Sequence, residues 1–411
     1  MQEKWIETTI GEQVTLQRGF DITRSEQRLG KVPVISSGGI SSYHDTSQLP
    51  GPGVILGRKG VVGSVYYIET EYWPHDTTLW VKDFHGNHPR FVYYFFRNFA
   101  PRLAKLDVGS ANPTLNRNHV HPTETIWPSL PTQHAIANIL GSLDDKIELN
   151  RQMNETLEAM ARAIFQSWFV DFDPVRARAE GRNTGLPPEN AALFPDSFEE
   201  VDGREVPRGW KIQSLNNCIQ DIFDYRGKTP KKLGDDWSQD GIDAISAKNI
   251  KNGELTNLDN VKFVSESLYK KWMKSDLEKG DILMTSEAPL GELFYFAQSK
   301  KMCLSQRLFC IRADQKIISP ALLYLSLNSS EVQSELLSRE TGTTVTGIRQ
   351  SLLRTIPILV PPFYLQEKIA PTIENLLLKM NSNSEQSRTL AQIRDALLPK
   401  LMSGESLSLK G

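Results

Sequence analysis

The stretch IELNRQMNETL, Ile147 to Leu157, lies at the centre of a long amphipathic pattern. Around it, apolar or small residues recur in alternating steps of four and three, which is the spacing of a helix that packs against another helix. These seam positions are Ile136, Leu140, Leu143, Ile147, Leu157, Ala161, Ile164 and Trp168. Asn150 and Asn154 occupy the two middle positions, where a buried stripe normally carries Leu or Ile. The pattern predicts a long helix whose apolar seam is interrupted by a polar layer.

The chain contains this helix twice, because two long segments align at one constant offset. Residues 108–140, VGSANPTLNRNHVHPTETIWPSLPTQHAIANIL, align without a gap on residues 341–373, TGTTVTGIRQSLLRTIPILVPPFYLQEKIAPTI. The same offset gives the second helix a matching seam, and its polar centre recurs as Asn383 and Ser387. A repeat of this length predicts two copies of one structural unit.

Each helix follows a module whose sequence is typical of a mixed α/β fold. PGVILGRKGVVGSVYYI at 52–68 corresponds to KGDILMTSEAPLGELFYF at 279–296. Both predict an apolar strand, a turn with glycine and a second strand. Between the two halves, a stretch rich in Pro, Gly and acidic residues is typical of a linker. We therefore predict five segments: module one, residues 1–131; helix one, 132–170; the linker, 171–207; module two, 208–364; and helix two, 365–404.

The two helices are predicted to pair with each other. Each has about 38 residues and a length of about 57 Å, and a helix of that length with a narrow apolar stripe needs a partner. We expect an antiparallel coiled coil with a pseudo-twofold axis through the helix midpoints, in which Asn150 and Asn154 face Ser387 and Asn383. A slip in register would bury an amide without a partner at about 1 to 3 kcal/mol, so the polar layer is predicted to fix the register. The alternative is that these side chains are solvated at a loosely packed centre.

Composition limits the class of protein. The chain has 411 residues, of which 39% are hydrophobic and 23% charged, and its formal net charge is -2. These values are typical of a soluble globular protein with two or three domains. No run of 18 apolar residues occurs, and MQEKWIETTI lacks the features of a signal peptide. Three cysteines do not make a disulfide framework. We therefore expect a cytoplasmic protein without a membrane segment.

The region around the first helix resembles a known family. Residues 130–175, LPTQHAIANILGSLDDKIELNRQMNETLEAMARAIFQSWFVDFDPV, closely resemble the central conserved region of specificity subunits of type I restriction-modification systems. NETLEAMARAIFQSWFVDF is the strongest motif, and GRKGVVG and GSANPTLN resemble turns of that family's target recognition domains. The duplicated plan of module and helix matches the family over the whole chain.

The resemblance implies a subunit that binds double-stranded DNA and has no catalytic activity of its own. Each module would read one half of a split target, and the helices would set the gap between the halves. Two methyltransferase (modification) subunits would dock on the chain, and restriction subunits that translocate DNA would then join. The chain itself would hold no cofactor, because S-adenosylmethionine and ATP would belong to those partners.

The alternative function is that of an autonomous enzyme, namely a single-chain DNA nuclease or methyltransferase. The sequence has no GxxxxGK[ST] phosphate loop, no glycine loop for a methyl donor and no Asn-Pro-Pro-Tyr type tetrapeptide. PDSFEE resembles the start of a nuclease carboxylate cluster but lacks a nearby Glu-x-Lys. His119 and His121 have the spacing of metal ligands, yet the same spacing suits one face of a strand. We therefore predict no catalytic residue and no metal site.

Candidate DNA contacts lie in glycine-flanked turns and amide-rich loops. Arginine or lysine can pair with guanine O6 and N7, asparagine or glutamine with adenine N6 and N7, and glutamate with cytosine N4. The candidates of module one are Arg58, Lys59, Asn112, Asn116, Arg117 and Asn118. Those of module two are Arg226, Lys228, Lys248, Asn249, Glu287, Gln306, Arg307, Thr343, Thr344 and Arg349. The alternative for the basic residues, Lys59 and Arg117 among them, is solvation or contact with phosphate alone.

FQSWFVDF, Phe165 to Phe172, is unusually aromatic for the exposed end of a helix. One interpretation is that it packs under module two. The other is that part of it, including Trp168 and Phe169, forms a docking patch for a methyltransferase subunit. The sequence leaves both open.

Overall fold

The computed structural model describes residues 5–103, 105, 114–342 and 346–404. The chain forms two compact units: unit 1 contains residues 1–149 and 386–411, and unit 2 contains residues 150–385. The boundary falls within both long helices, so each helix contributes one part to each unit.

Unit 1 is built from two sheets and a strand pair. Its strands are β1 (Ile6–Thr9), β2 (Thr15–Arg18), β3 (Val32–Ser36), β4 (Gly39–His44), β5 (Gly53–Gly57), β6 (Val65–Ile68), β7 (Trp73–Pro74), β8 (Thr78–Asp83) and β9 (Glu124–Trp127). Its helices are α1 (Ile10–Gln13), α2 (Pro89–Leu103), α3 (Arg117–Val120) and the first part of α4 (Leu130–Phe165). The sheet orders are β2-β8-β5-β6 and β4-β3-β7, and β1 pairs with β9.

The core of unit 1 forms where α2 covers the four-stranded sheet. The strand β5, GVILG, is buried at every position, as its apolar run predicts. From α2, Phe91 and Phe95 contact the ring of Trp127 at 5.2 and 4.6 Å between centroids. Leu140 of α4 and Leu398, near the end of the chain, belong to the same buried cluster. The sheet is therefore fixed directly to the part of the helix pair that lies in unit 1.

The end of α4 and the segment after it are folded onto the core of unit 2. A five-residue π-helix, Gln166–Val170, follows α4. The predicted linker contains α5 (Asp173–Ala179), α6 (Pro188–Ala191), β10 (Phe198–Val201) and β11 (Arg204–Pro207). Val175 and Phe194 are buried in the same cluster as Trp210. The predicted linker, although rich in Pro, Gly and acidic residues, is therefore an ordered connection with short helices and strands of its own.

Unit 2 contains the second copy of the sheets. Its strands are β12 (Lys211–Ser214), β13 (Ile219–Asp224), β14 (Ile242–Ile245), β15 (Ile250–Lys251), β16 (Glu254–Leu255), β17 (Lys262–Val264), β18 (Ile282–Ser286), β19 (Leu290–Tyr295), β20 (Cys303–Leu304), β21 (Leu308–Ala313) and β22 (Pro357–Val360). Its helices are α7 (Leu215–Cys218), α8 (Glu266–Trp272), α9 (Pro320–Leu327), α10 (Ser330–Ser338), α11 (Gln350–Leu353) and the first part of α12 (Phe363–Met402). Short 3-10 helices cover Lys231–Leu233, Ala247–Asn249 and Leu258–Asn260.

The internal repeat is confirmed by the sheet topology. The order β13-β21-β18-β19 in unit 2 reproduces β2-β8-β5-β6 in unit 1. In unit 1, β3 pairs antiparallel with β4 and parallel with β7, and in unit 2, β14 pairs antiparallel with β17 and parallel with β20. The pair β12-β22 corresponds to β1-β9. The predicted class, two similar mixed α/β domains with long helices, is therefore confirmed.

A buried glutamine fixes the start of each long helix. Gln133 and Gln366 occupy equivalent positions in the repeat and are each 2% exposed. The oxygen of Gln133 accepts from the backbone of His88 at 3.0 Å, and that of Gln366 accepts from the backbone of Ser319 at 2.9 Å. Each amide nitrogen donates to the carbonyl oxygen of a proline five residues earlier, at 3.1 and 2.8 Å. We call this arrangement of hydrogen bonds the glutamine clamp. It joins the sheet module to the start of the long helix in both units.

The two long helices run antiparallel, and a polar layer lies in the part of the pair that belongs to unit 2. Asn383 Nδ2 donates to Asn154 Oδ1 at 2.9 Å, and Asn150 Nδ2 donates to the carbonyl oxygen of Asn383 at 3.3 Å. The predicted amide-to-amide contact between Asn154 and Asn383 is therefore present. Asn154 Nδ2 also donates to the hydroxyl of Ser384 at 2.9 Å. Ser387 is half-buried.

Candidate nucleic-acid interface

Three turns of unit 1 meet beside one end of the four-stranded sheet. The turn after β5 carries Arg58 and Lys59, and the segment before α3 joins it through a bridge between Lys59 and Thr114. The backbone of Leu115 donates to the carbonyl oxygen of Arg58 at 2.9 Å. The third turn contributes Thr77, whose carbonyl oxygen accepts from Arg58 and Lys59 at 2.9 and 3.1 Å. Three turns from different parts of the sequence therefore form one surface.

This surface contains an open cleft of about 560 Å³ with cationic and amide side chains. Its lining residues are Gln17, Arg18, Arg58, Leu79, Asn116, Arg117 and Asn118. Burial, and then the positive charge of Arg18, lower the pKa of Arg58 from its usual value. An arginine remains protonated in proteins, so Arg58 keeps its positive charge in the cleft beside Arg18. Such a cleft favours an anionic ligand.

The amides of the α3 loop have different roles. Asn116 caps α3, because its Oδ1 accepts from the backbone of Asn118 at 3.0 Å. Asn118 and Arg117 are exposed, as is Lys59 on the neighbouring turn. Asn112 lies outside the described residues. Since Asn116 already uses its oxygen in the cap, Asn118 is better placed to offer both oxygen and nitrogen to a base.

Unit 2 brings the equivalent three turns together. Glu287, after β18, forms a bridge with Gly347, and the backbone of Ile348 donates to the carbonyl oxygen of Ser286 at 3.0 Å. The backbone of Ser286 donates to the carbonyl oxygen of Arg307, just before β21, at 2.9 Å. Gln306 and Arg349, on two of these turns, are exposed. Thr343 and Thr344 lie outside the described residues.

Two arginines of the unit 2 surface, Arg307 and Arg226, form ion pairs with acidic neighbours. Arg307 Nε lies 3.0 Å from Glu287 Oε1, and Arg307 has a left-handed backbone with φ 64. That conformation is unfavourable for a residue with a Cβ and is often found at functional sites. Arg226 forms an ion pair with Asp224 at 2.7 Å and stacks over the ring of Phe309 at 4.3 Å. The two arginines are therefore held in fixed positions.

Two further lysines of unit 2 differ in exposure. Lys228 is half-buried, and its Nζ donates to the carbonyl oxygen of Trp272 at 2.5 Å. Burial, and then the charge of Lys274, lower the pKa of Lys228. Lys248 is exposed on the neighbouring 3-10 turn. Of the two, Lys248 is the better placed for a contact with DNA.

The structure corrects the prediction for Asn249. This side chain is 0% exposed. Its Oδ1 accepts from the backbone and hydroxyl of Ser246 at 3.1 and 3.0 Å, and its Nδ2 donates to the carbonyl oxygen of Thr256 at 3.1 Å. A side chain enclosed in this way cannot reach a base. The stretch SAKNI, Ser246 to Ile250, has the composition of an exposed loop, but its asparagine closes the loop from inside.

The aromatic segment at the end of α4 packs into unit 2. Phe169 is 6% exposed, and its ring lies 5.6 Å from that of Trp210. Trp168 is half-buried and lies 5.6 Å from the ring of Phe194. These contacts support the packing interpretation of the motif. They leave Phe169 little surface for a partner subunit.

One group of potential metal ligands occurs in the part of the chain that the structure describes. Asp21, His75 and Asp76 place one ligand atom each within 4.8 Å of one another. Asp76, however, forms an ion pair with Arg18 at 2.6 Å, and His75 Nδ1 lies 3.0 Å from the hydroxyl of Thr77. The group therefore orients Arg18 beside the cleft. None of the described helices has an apolar stretch long enough to cross a membrane.

Comparisons with known proteins agree with this architecture. A family model described as type I restriction modification DNA specificity domain matches residues 2–159 and 208–392. The HindI specificity subunit of a type I restriction enzyme from Haemophilus influenzae is 32% identical over 324 residues, covering 68% of this chain and 68% of that protein. The MjaIX specificity subunit from Methanocaldococcus jannaschii is 26% identical over 318 residues, covering 77% of this chain and 68% of that protein.

A solved structure shows the same fold. The S subunit of a type I restriction-modification system from M. genitalium matches with a TM-score of 0.64 at 18% identity. The match covers 97% of this chain and 96% of that one. At this identity the likeness concerns the fold alone.

Proposed function

Because the chain belongs to the type I restriction-modification DNA specificity family, we propose that it is the DNA-recognition subunit of a type I restriction-modification complex. Each unit recognises one half of a bipartite target through its three-turn surface. One observation carries the proposal. The two surfaces are formed by equivalent turns beside sheets with the same strand order, yet their side chains differ. Two readers of different half-sites require that combination.

The recognition chemistry differs between the two surfaces. In unit 1, Arg58 and Arg117 lie at a cationic cleft, where they pair with guanine or with phosphate, and Asn118 suits adenine. In unit 2, Glu287 and Arg307 form an acceptor and donor pair, so a base edge there meets both types of group. Arg349 and Lys248 are exposed and suit phosphate contacts.

Catalysis is assigned to partner subunits. We expect two methyltransferase subunits to bind this chain and restriction subunits that translocate DNA to join them in the cytoplasm. S-adenosylmethionine and ATP then bind to those partners and not to this chain. Of the two predicted docking residues, Phe169 is buried and offers little surface, whereas Trp168 is half-buried and remains a candidate for contact with a methyltransferase subunit.

Methylome sequencing of cells that express this chain with its modification subunits tests the proposal. We expect one split methylated motif. Replacing residues 1–131 by the same module of a relative should change one half of that motif only, and replacing residues 208–364 should change the other half. A continuous motif, or a swap that alters both halves, would contradict separate readers. Methylation of DNA by the purified chain alone would instead support an autonomous enzyme.

A further inference from the structure

Unit 2 contains a hairpin that has no counterpart at the equivalent place in unit 1. In unit 1, β3 and β4 are joined by Ser37 and Gly38 alone. In unit 2, β14 and β17 are joined by residues 246–261, which include the hairpin β15-β16. We define these 16 inserted residues as the strut.

One end of the strut contacts the polar layer of the long helices. Glu254 Oε1 accepts from the hydroxyl of Ser384 at 2.8 Å and lies 3.4 Å from Asn154 Nδ2. Ser384 follows Asn383 in α12, and Asn154 is the residue of α4 that binds Asn383. One carboxylate therefore touches both helices at the layer that is predicted to fix their register.

The other end of the strut lies at the candidate DNA surface. The backbone of Ala247 donates to the carbonyl oxygen of Gln306 at 3.2 Å, beside Arg307. Lys248, the next residue, is exposed. Asn249 holds the two ends of the hairpin together through its bonds to Ser246 and Thr256. The buried asparagine thus connects the surface turn rigidly to the hairpin.

The turn between β15 and β16 in the strut is supported by the four-stranded sheet and its neighbours. The backbone of Asn252 donates to Glu292 Oε2, on β19, at 2.7 Å. Gly253, with φ 76, forms the turn between β15 and β16, and a Cβ at this position would lie 3.3 Å from the hydroxyl of Tyr324. Contacts at the turn and at the base of the hairpin make it a short rigid connection.

We propose that the strut positions the DNA-reading surface of unit 2 on the helix pair, with Glu254 as the positioning residue that makes recognition selective for one gap length. The inference rests on the proposed function and deepens it. A hydrogen bond from a hydroxyl or amide to a carboxylate is stronger than one between neutral groups. Loss of the contact lets the surface shift relative to the helices, so that targets with a wrong gap are accepted more readily.

The test uses the full chain assembled with its modification subunits. Methylation rates are measured on duplexes that carry both half-sites with the native gap or with a gap one base pair shorter or longer. For Glu254→Ala we expect the preference for the native gap to fall about fivefold, the effect of losing roughly one hydrogen bond, while the half-site sequences stay the same. Glu254→Gln keeps an oxygen that accepts but loses the charge, and its gap preference should lie between those of the native chain and the Ala variant. Asp259→Ala removes an exposed acid from the same strut and serves as the control.

Hydrogen exchange of the free chain tests the contact of Glu254 separately from DNA recognition. Glu254→Ala should increase amide exchange in residues 246–257, whether or not DNA is recognised. If exchange increases in Glu254→Ala but the native chain recognises no split target, the contact is supported and the proposed function is overturned. An unchanged gap preference for Glu254→Ala, or a Gln variant as relaxed as the Ala variant, would overturn the positioning role, even if the melting temperature fell.

Discussion

Unit 1 and unit 2 share one strand order but differ in how each holds the long helices. In unit 1, α2 presents Tyr94 and Arg97 to the pair: Tyr94 donates to Asp144 at 2.6 Å, and Arg97 donates to Asp395 at 3.1 Å. Arg394 of α12 forms an ion pair with Asp144 as well. In unit 2 the helix at the equivalent place, α9, is buried from Ala321 to Leu327 and packs through apolar side chains.

The difference shows which part of a duplicated fold is constrained. Sheet order and the glutamine clamp at each helix start are common to both units, so the geometry of the helix start is kept. Further along the helices, the contact made by α2 in unit 1 is ionic and that made by α9 in unit 2 is apolar, although Lys279 and Glu374 form a more exposed ion pair in unit 2. Either solution stabilises the same arrangement, but only the ionic one is screened by salt. The two units should therefore respond differently to salt and equally to loss of the clamp.

Loss of a clamp should have the largest effect. Gln133→Ala and Gln366→Ala each leave a partly buried backbone donor and a buried proline carbonyl oxygen without their partner. We expect each variant to lower the free energy of unfolding by about 2 to 3 kcal/mol. Denaturant titration measures it, with the exposed Gln48→Ala as control. A loss in only one of the two variants would break the equivalence of the units.

Thiol labelling shows which unit opens in each clamp variant. All three cysteines lie in unit 2 and are buried. Burial raises the pKa of Cys218 and of Cys303 to about 12 and that of Cys310 well above its usual value, so at pH 8 the reactive thiolate is scarce in the folded unit. Gln366→Ala should therefore accelerate labelling, and Gln133→Ala should not. Equal acceleration in both would mean that the units unfold together.

Substitutions at the two DNA surfaces should differ in size. Arg58→Ala removes a cation from the cleft of unit 1 and is expected to weaken recognition of one half-site by about 2 kcal/mol if a bidentate base contact is lost. Arg307→Ala should cost about half as much, because Glu287 already neutralises part of the charge of Arg307 in the native chain. Binding of the assembled complex to duplexes with single base changes measures both. Weakening that is uniform across sequences would identify a phosphate contact instead.

A salt titration should reveal the ionic contacts of unit 1. Asp144→Asn keeps an acceptor for Tyr94 but removes the charge that pairs with Arg394. We expect a loss of about 1 kcal/mol at low salt that shrinks in about 1 M salt, where the Debye length is about 3 Å. The matched change in unit 2 is Glu374→Gln, which removes the partner of Lys279 at 2.7 Å and should cost less, because both of its side chains are more exposed. A larger loss for Glu374→Gln would reverse the comparison.

The sequence predicted the features that repeat and missed those that depend on tertiary contacts. The heptad spacing predicted both helices, which span 36 and 40 residues and begin two residues earlier than expected, at Leu130 and Phe363. Apolar runs predicted β5 and β18, because buried strands carry little else. Hydrophobic periodicity indicates the type of a secondary-structure element and which of its faces is buried, but not what covers that face. It contains no information on which loops meet.

The candidate site shows the same limit. Loop composition identified Arg58, Lys59 and Asn118, but only the fold brings the turn of Lys59 to Thr114. Composition also selected Asn249, since an asparagine that closes a turn from inside has the same sequence signal as one exposed on it. Arg18 was missed, because an arginine at the end of a short strand carries no local signal. Its distance to Asp76, 2.6 Å, depends on residues 58 positions apart.

The smallest change in stability is expected when Asn154 and Asn383 of the polar layer are both replaced by leucine. Asn154→Leu alone removes the acceptor of Asn383 Nδ2, and Asn383→Leu alone removes the donor to Asn154 Oδ1. Each single variant should lose about 1 to 2 kcal/mol, because a buried amide group is left unpaired. The double variant removes both amides and adds apolar contacts to the seam, and Ser384 keeps Glu254 as its partner, so the unfolding free energy should lie within about 0.5 kcal/mol of the native value.

A double-mutant cycle by denaturant titration tests the pair, and methylome sequencing of the double variant measures the gap. If the layer fixes register, the stable double variant should methylate targets with more than one gap length, because a leucine seam accepts neighbouring registers. The half-sites should stay the same, because neither reading surface is altered. Additive losses in the cycle would show that the two amides act independently. A double variant with native stability and a single native gap would assign register to the glutamine clamps and the module contacts, and the two units would then hold the helices without help from the centre.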